Sequence, residues 1–302
     1  MSVSDSLNSP LSREEYVEQA HLFTVMAERM AENAPAQEVL AAVREEVLAT
    51  TKLPMAIDFL LAELRHQGEF ATGMRKLSHY FTPFQCYVMG EAENVRKRFD
   101  LRIGLLVLAR EAQYRAAEHA TLQGLFVYQF ETLCRNRLGY DVGLEAMSRD
   151  PSYDSTWSQW LLTVRRQIGL VELADLIYVR SEFYKKRAGS SPTTSELESV
   201  KNGGEDAPAH DAGSETLFGI QEGRIAWANR RKDPILLFSA LHRHLDNPAV
   251  PRPEPVDPEE RLLPVLARRV EQLEARLRLV EEEQRGGIDL AKFYAAKDPK
   301  LP

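Results

Sequence analysis

An all-α fold is the class this sequence predicts, on three observations. Helix start and stop signals recur along the first 187 residues, and apolar side chains between them repeat at three- and four-residue steps. Strand-like alternation bounded by turns is scarce; its best candidate, Leu125 to Phe130, reads equally well as helix. The predicted architecture is a multi-helix globular domain over 12–187, a disordered acidic linker over 188–216 and a short helical module over 217–250. A proline-rich spacer over 251–258, a heptad coiled-coil helix over 259–285 and a flexible tail over 286–302 complete it.

The elements follow in order. Ser12 with Glu15 reads as a capping box, ahead of a stripe of Tyr16, Ala20, Phe23, Ala27 and Met30. Pro35 ends that helix or opens the next, whose stripe is Val39, Leu40, Val43 and Val47. Pro54 suits a first helical turn, and Gly68 a left-handed stop after Ile57, Leu60, Leu61 and Leu64. Thr82, Pro83 and Gln85 form a second N-terminal signature before a helical region reaching about His119, with Asp100 as a possible break. Further helices are expected over 122–138, 155–168 and 170–187, with Gly139 and Gly169 as stops. The stretch from Gly139 to Leu161 resembles the junction between two tetratricopeptide repeats: a helix around Leu144, Ala146 and Met147, then Asp150-Pro151, then Trp157. The 34-residue period of that family does not recur elsewhere in the chain.

Ala188 to Thr216 carries six acidic residues, one Lys and almost no large apolar side chain. Such a segment buries too little surface to offset ordering its backbone, which costs roughly 1–2 kcal/mol per residue. After it, one short helix is expected through Ile225 and Trp227 and another from Asp233-Pro234 to about Leu245. Pro248, Pro251, Pro253, Pro255 and Pro258 then read as a stiff spacer.

From Leu263 the apolar steps alternate three and four: Leu263, Leu266, Val270, Leu273, Leu277 and Val280. With Leu263, Val270 and Leu277 at heptad position a, the others fall at d. In a parallel pair Arg269 then faces Glu274 of the partner helix and Arg276 faces Glu281, both attractive. Pro264 delays or kinks the start, at a cost of about 3 kcal/mol. This seam predicts self-association, with a parallel dimer preferred, or pairing with a partner's helix; the competing reading packs it on the chain's own helical domain. Beyond Gly286-Gly287, the cluster Ile288, Leu290, Phe293 and Tyr294 reads as a docking peptide or as a cover for the coil end.

Composition narrows the function classes. The chain has 302 residues, a net charge of −7 and 44% apolar residues, enough for a sizeable core. The negative balance opposes nonspecific binding to nucleic acid or anionic membrane. Only Cys86 and Cys134 occur, far apart, which fits a reduced, cytoplasmic compartment. Met1 to Pro10 lacks the basic start and apolar run of a signal peptide. The longest apolar run, Leu105 to Ala109, is far below the about 20 residues of a membrane helix.

Residues that invite chemistry have plainer readings. His242 and His244, two apart on a helix, point in different directions and suit no shared metal. His79 with Cys86 lacks an orienting Asn or Asp, and Cys134 beside Arg135 belongs with the apolar face of Phe126, Phe130 and Leu133. Tyr153, Trp157 and Trp160, near Arg165 and Arg166, fit a buried stripe better than a nucleic-acid platform. The strongest anion-contact candidates are Arg224, Arg230, Arg231 and Lys232, just before a helix N-terminus at Asp233-Pro234. A solvated turn, pairing with acidic groups of the first domain, or pairing with the neighbouring acidic linker competes with that reading. No residue set points to a catalytic role, a metal or a cofactor. The sequence predicts an interaction or scaffold protein oligomerising through its C-terminal heptads. Its rivals are an enzyme with a polar pocket in the helical domain and a nucleic-acid accessory protein using residues 224–232.

Overall fold

Short polar side chains and prolines open most of the helices. The structure, a computed structural model, describes residues 10–32, 34–94, 96, 99–189 and 215–252. Among these are thirteen helices and no strand. They are α1 (Arg13–Ala31), α2 (Ala36–Glu46), α3 (Leu53–Gln67), α4 (Phe70–Lys76), α5 (Pro83–Glu93), α6 (Leu101–Ala116) and α7 (Leu122–Arg135). There follow α8 (Tyr140–Ser148), α9 (Ser155–Gln167), α10 (Leu173–Val179), α11 (Glu182–Gly189), α12 (Ile220–Ala228) and α13 (Pro234–Leu245). The heptad seam from Leu263 to Val280, the tail, and most of the linker and spacer lie outside the described residues.

Several N-cap side chains accept from the otherwise unpaired first-turn amides. Thr82 accepts from Gln85 N at 3.2 Å while Gln85 reaches back to Thr82 N at 3.0 Å, so the predicted capping box is present. Asp100 accepts from Ile103 N and starts α6, so the long helical region expected from Thr82 to His119 is two helices. Thr121 and Asp154 do the same for α7 and α9. The capping box expected at Ser12 and Glu15 is absent: Ser12 makes no side-chain cap bond. The buried Glu15 carboxylate instead accepts from Lys52 N at 2.8 Å and from the Tyr80 hydroxyl at 2.9 Å, one at the N-cap of α3 and the other in the connection between α4 and α5.

Stops are read less well from sequence. Gly68, at φ 73°, ends α3 as expected. At the end of α7 the left-handed residue is Arg137, at φ 53°, with Leu138 N bonded to Leu133 O. Gly139 is not that helix's stop; it is the N-cap of α8. The single helix expected over 170–187 is also corrected, because it is interrupted between α10 and α11. There Arg180 O accepts from Leu217 N and Phe218 N, and Glu182 N donates to Phe218 O, so a distant segment takes the backbone groups that a continuous helix would use.

α1 lies along α6, α8 packs on α9, α7 on α13, and α10 on α12. The aromatic centre forms around Phe126, with Trp160 at 4.8 Å, Phe130 at 5.7 Å, Trp157 at 5.9 Å and Phe218 at 6.0 Å between ring centroids. Phe218 comes from beyond residues 190–214, yet it is 1% exposed. Phe238 sits 6.1 Å from Phe130, Arg110 donates to Ala249 O, and Asn136 donates to Pro251 O. Residues 217–250 therefore share one core with the helices before residue 190. None of the described helices is long and apolar enough to cross a membrane.

Candidate functional site

Two groups of charged side chains stand out, one buried and one at the surface. The buried group is built on α6 and α7 and closed by the loop after α8. Glu111 and Arg115, four apart on α6, face each other at 2.9 Å, and Asp150 approaches the same guanidinium from the loop. Arg115 also donates to Ser152 Oγ at 2.7 Å, and its carbon lies 5.7 Å from the centre of the Tyr16 ring. Gln129 donates to Glu111 Oε1 at 2.7 Å and accepts from the Tyr153 hydroxyl at 2.9 Å.

Two carboxylates share one guanidinium here, in a place without water-like screening. Burial pushes the Glu111 carboxyl above its ordinary 4.5, against the Arg115 charge that pulls it down. Burial works against the charge on Arg115 too, but Asp150 and Glu111 hold its pKa well above the usual value. Glu111 Oε2 and Arg115 Nε have no hydrogen-bond partner in the structure. The side chains of Glu111 and Asp150 are 0% exposed and that of Arg115 is 4% exposed. A substrate has no way to these groups without opening the fold, so their geometry clamps α6, α7 and the 150–153 loop together.

A hollow of about 490 Å³ lies between α1 and the end of α6. Its polar lining includes Arg13, which pairs with Glu118 at 3.7 Å, and His21, which pairs with Glu46 at 3.3 Å. Neither thiol is activated: burial pushes Cys86 up to about 12 and Cys134 up to about 11.

The surface group gathers the four basic candidates with others from a separate part of the chain. α12 packs closely on the α10–α11 junction, where a side chain at Gly223 would collide with Ser181 and Phe183. That approach sets Trp227 4.7 Å from Tyr178. Arg230 then lies 4.3 Å from the centre of the Trp227 ring and pairs through Nε with Asp175. Arg187, from the end of α11, lies at the same 4.3 Å from Trp227. Arg224 is exposed and sits over Phe183 at 5.9 Å. Arg231, at φ 58°, donates its backbone N–H to Glu172 at 2.8 Å and leaves its side chain exposed, as is Lys232.

The structure thus brings together Arg224, Arg230, Arg231 and Lys232, and adds Arg180, Lys185, Lys186 and Arg187, which sequence reasoning passed over. Lys185-Lys186-Arg187 is visible as a basic run, but nothing local says that it lies beside α12. Part of the 224–232 turn serves docking, through Asp175 and Glu172. Comparison with protein-family models, with curated proteins and with solved structures returned no match.

Proposed function

We infer that this chain is an interaction protein: a single helical body carried on a C-terminal heptad helix that pairs with a second copy. The observation that carries the reading is the six-residue seam, Leu263, Leu266, Val270, Leu273, Leu277 and Val280, framed by Arg269, Glu274, Arg276 and Glu281. Apolar spacing of 3.5 residues and complementary flanking charges specify the same parallel arrangement. The prolines between Pro251 and Pro258 suit a stiff spacer, and the composition of 188–216 suits a polar connection excluded from the core. Two bodies joined this way would present any weak surface contact twice, raising avidity without a new contact.

The buried Glu111–Arg115–Asp150 group is read as a fastener rather than a catalytic centre, because its side chains are sealed. Light scattering on the full chain at tens of micromolar tests the oligomer. The expected result is a dimer that becomes a monomer in the double variant Leu266→Asp, Leu273→Asp, with the helical signal of the body retained. A wild-type chain that stays monomeric at that concentration sinks the reading.

A further inference from the structure

We propose that α10, α11 and α12 form a composite docking face for a carboxylate-rich peptide segment of another protein. The inference rests on reading the chain as an interaction protein and names what its body takes hold of.

Two basic runs far apart in sequence meet on this face. Residues 172–189 and 219–232 hold Arg180, Lys185, Lys186, Arg187, Arg224, Arg230, Arg231 and Lys232 against only Glu172, Asp175, Glu182 and Glu222. The local balance is positive in a chain whose net charge is −7. Lys185, Arg224, Arg231 and Lys232 are exposed, so their charges reach solvent. The contact of α12 with α10 and α11 is what joins the runs, through Trp227 between Tyr178, Arg187 and Arg230.

The same stacking decides the class of partner. Single-stranded nucleic acid binds through free aromatic faces on which bases stack. Here two guanidiniums already lie 4.3 Å from the Trp227 ring centre. Tyr178 is buried and contacts Phe183, Tyr184 and Trp227. The rings are spent on holding arginines. Arg224, exposed and lying 5.9 Å from the centre of the Phe183 ring, carries the planar fork of N–H groups that suits a carboxylate. Pairing of an exposed basic side chain with a carboxylate acts within a Debye length, about 10 Å at 0.1 M salt, beyond which the chain's net charge of −7 is largely screened. Charge complementarity therefore favours a short Asp- and Glu-rich segment.

Fluorescence anisotropy on the full chain tests this with three labelled probes: a peptide of alternating Glu and Asp, its Gln and Asn counterpart, and a single-stranded oligodeoxynucleotide. The acidic peptide is expected to bind, to weaken steeply as salt is raised, and to exceed both other probes. The variant Lys185→Glu, Lys186→Glu, Arg224→Glu, Lys232→Glu is expected to lose at least about tenfold in affinity, as removal of several steering charges should. The milder pair Arg224→Gln, Lys232→Gln, with exposed side chains only, serves if the quadruple variant fails to fold, and is expected to weaken binding severalfold. No binding of the acidic peptide at low salt, unchanged binding by a folded variant, or tighter binding of the oligodeoxynucleotide each overturns the proposal. The Leu266→Asp, Leu273→Asp monomer keeps this face, so peptide binding by that variant separates failure of the oligomer from failure of the docking face.

Discussion

Glu111 shows how one side chain can be both a fastener and a liability. Its carboxyl is desolvated and shares Arg115 with Asp150, so its pKa in the folded chain is raised above the ordinary 4.5. A group raised on folding binds its proton more tightly in the native state. Its contribution to stability is complete below the unfolded value and is lost as pH climbs through the folded one. Glu111→Gln keeps the shape and removes the ionisation. The variant is expected to gain stability relative to wild type as pH rises above about 4.5, with the difference flat at lower pH. Urea unfolding at a series of pH values measures it; a difference independent of pH would show that Glu111 is not raised. Arg115→Met removes the shared cation and leaves two buried carboxylates without it, at an expected cost of about 3–5 kcal/mol near neutral pH. Urea unfolding of that variant checks the loss, and a cost below about 1 kcal/mol would mean the group does not hold α6, α7 and the loop together.

At the scale of the element, two look-alike caps behave differently. Ser12 and Thr82 each precede a Glu or Gln three residues on, and both read as capping boxes. Only Thr82 closes one, with Gln85 at 3.2 and 3.0 Å. Glu15 is drawn away because Lys52 N and the Tyr80 hydroxyl need an acceptor in the interior. Thr82→Ala should therefore cost about 1 kcal/mol, while Ser12→Ala should stay within about 0.3 kcal/mol of wild type. Equal losses in denaturant midpoint for the two variants would contradict this. The break between α10 and α11 has the same origin. The Ser181 hydroxyl caps α11 by accepting from Tyr184 N at 3.2 Å, but the groups that pair with the interrupted backbone, Leu217 and Phe218, lie some 30 residues further along the chain.

For the whole molecule, the decisive contact is Phe218 among Phe126, Trp157 and Trp160, at centroid distances of 6.0, 5.4 and 5.2 Å. It ties the segment after residue 214 into the core laid down before residue 190. Phe218→Ala should cost about 3–5 kcal/mol. Because the core is shared, the loss should appear as a lower midpoint of one cooperative transition of the body. A calorimetric trace with a separate early transition for residues 217–250, and the remainder unchanged, would refute a shared core.

The sequence by itself determined the helical class, most helix starts, the stop at Gly68, and the buried stripe of Trp157, Trp160, Leu161 and Val164. These depend on a few neighbouring residues: a cap and its amide, a positive φ, a 3.6-residue period. It also displayed the heptad pattern on which the proposed assembly rests. Only the tertiary structure decided that residues 217–250 complete the first core, that Asp150 joins Glu111 and Arg115, and that two basic runs on either side of an acidic stretch make one face. Those are pairings between distant segments. They are governed by which surfaces exclude water together and which buried charges find partners, and no local spacing encodes that choice.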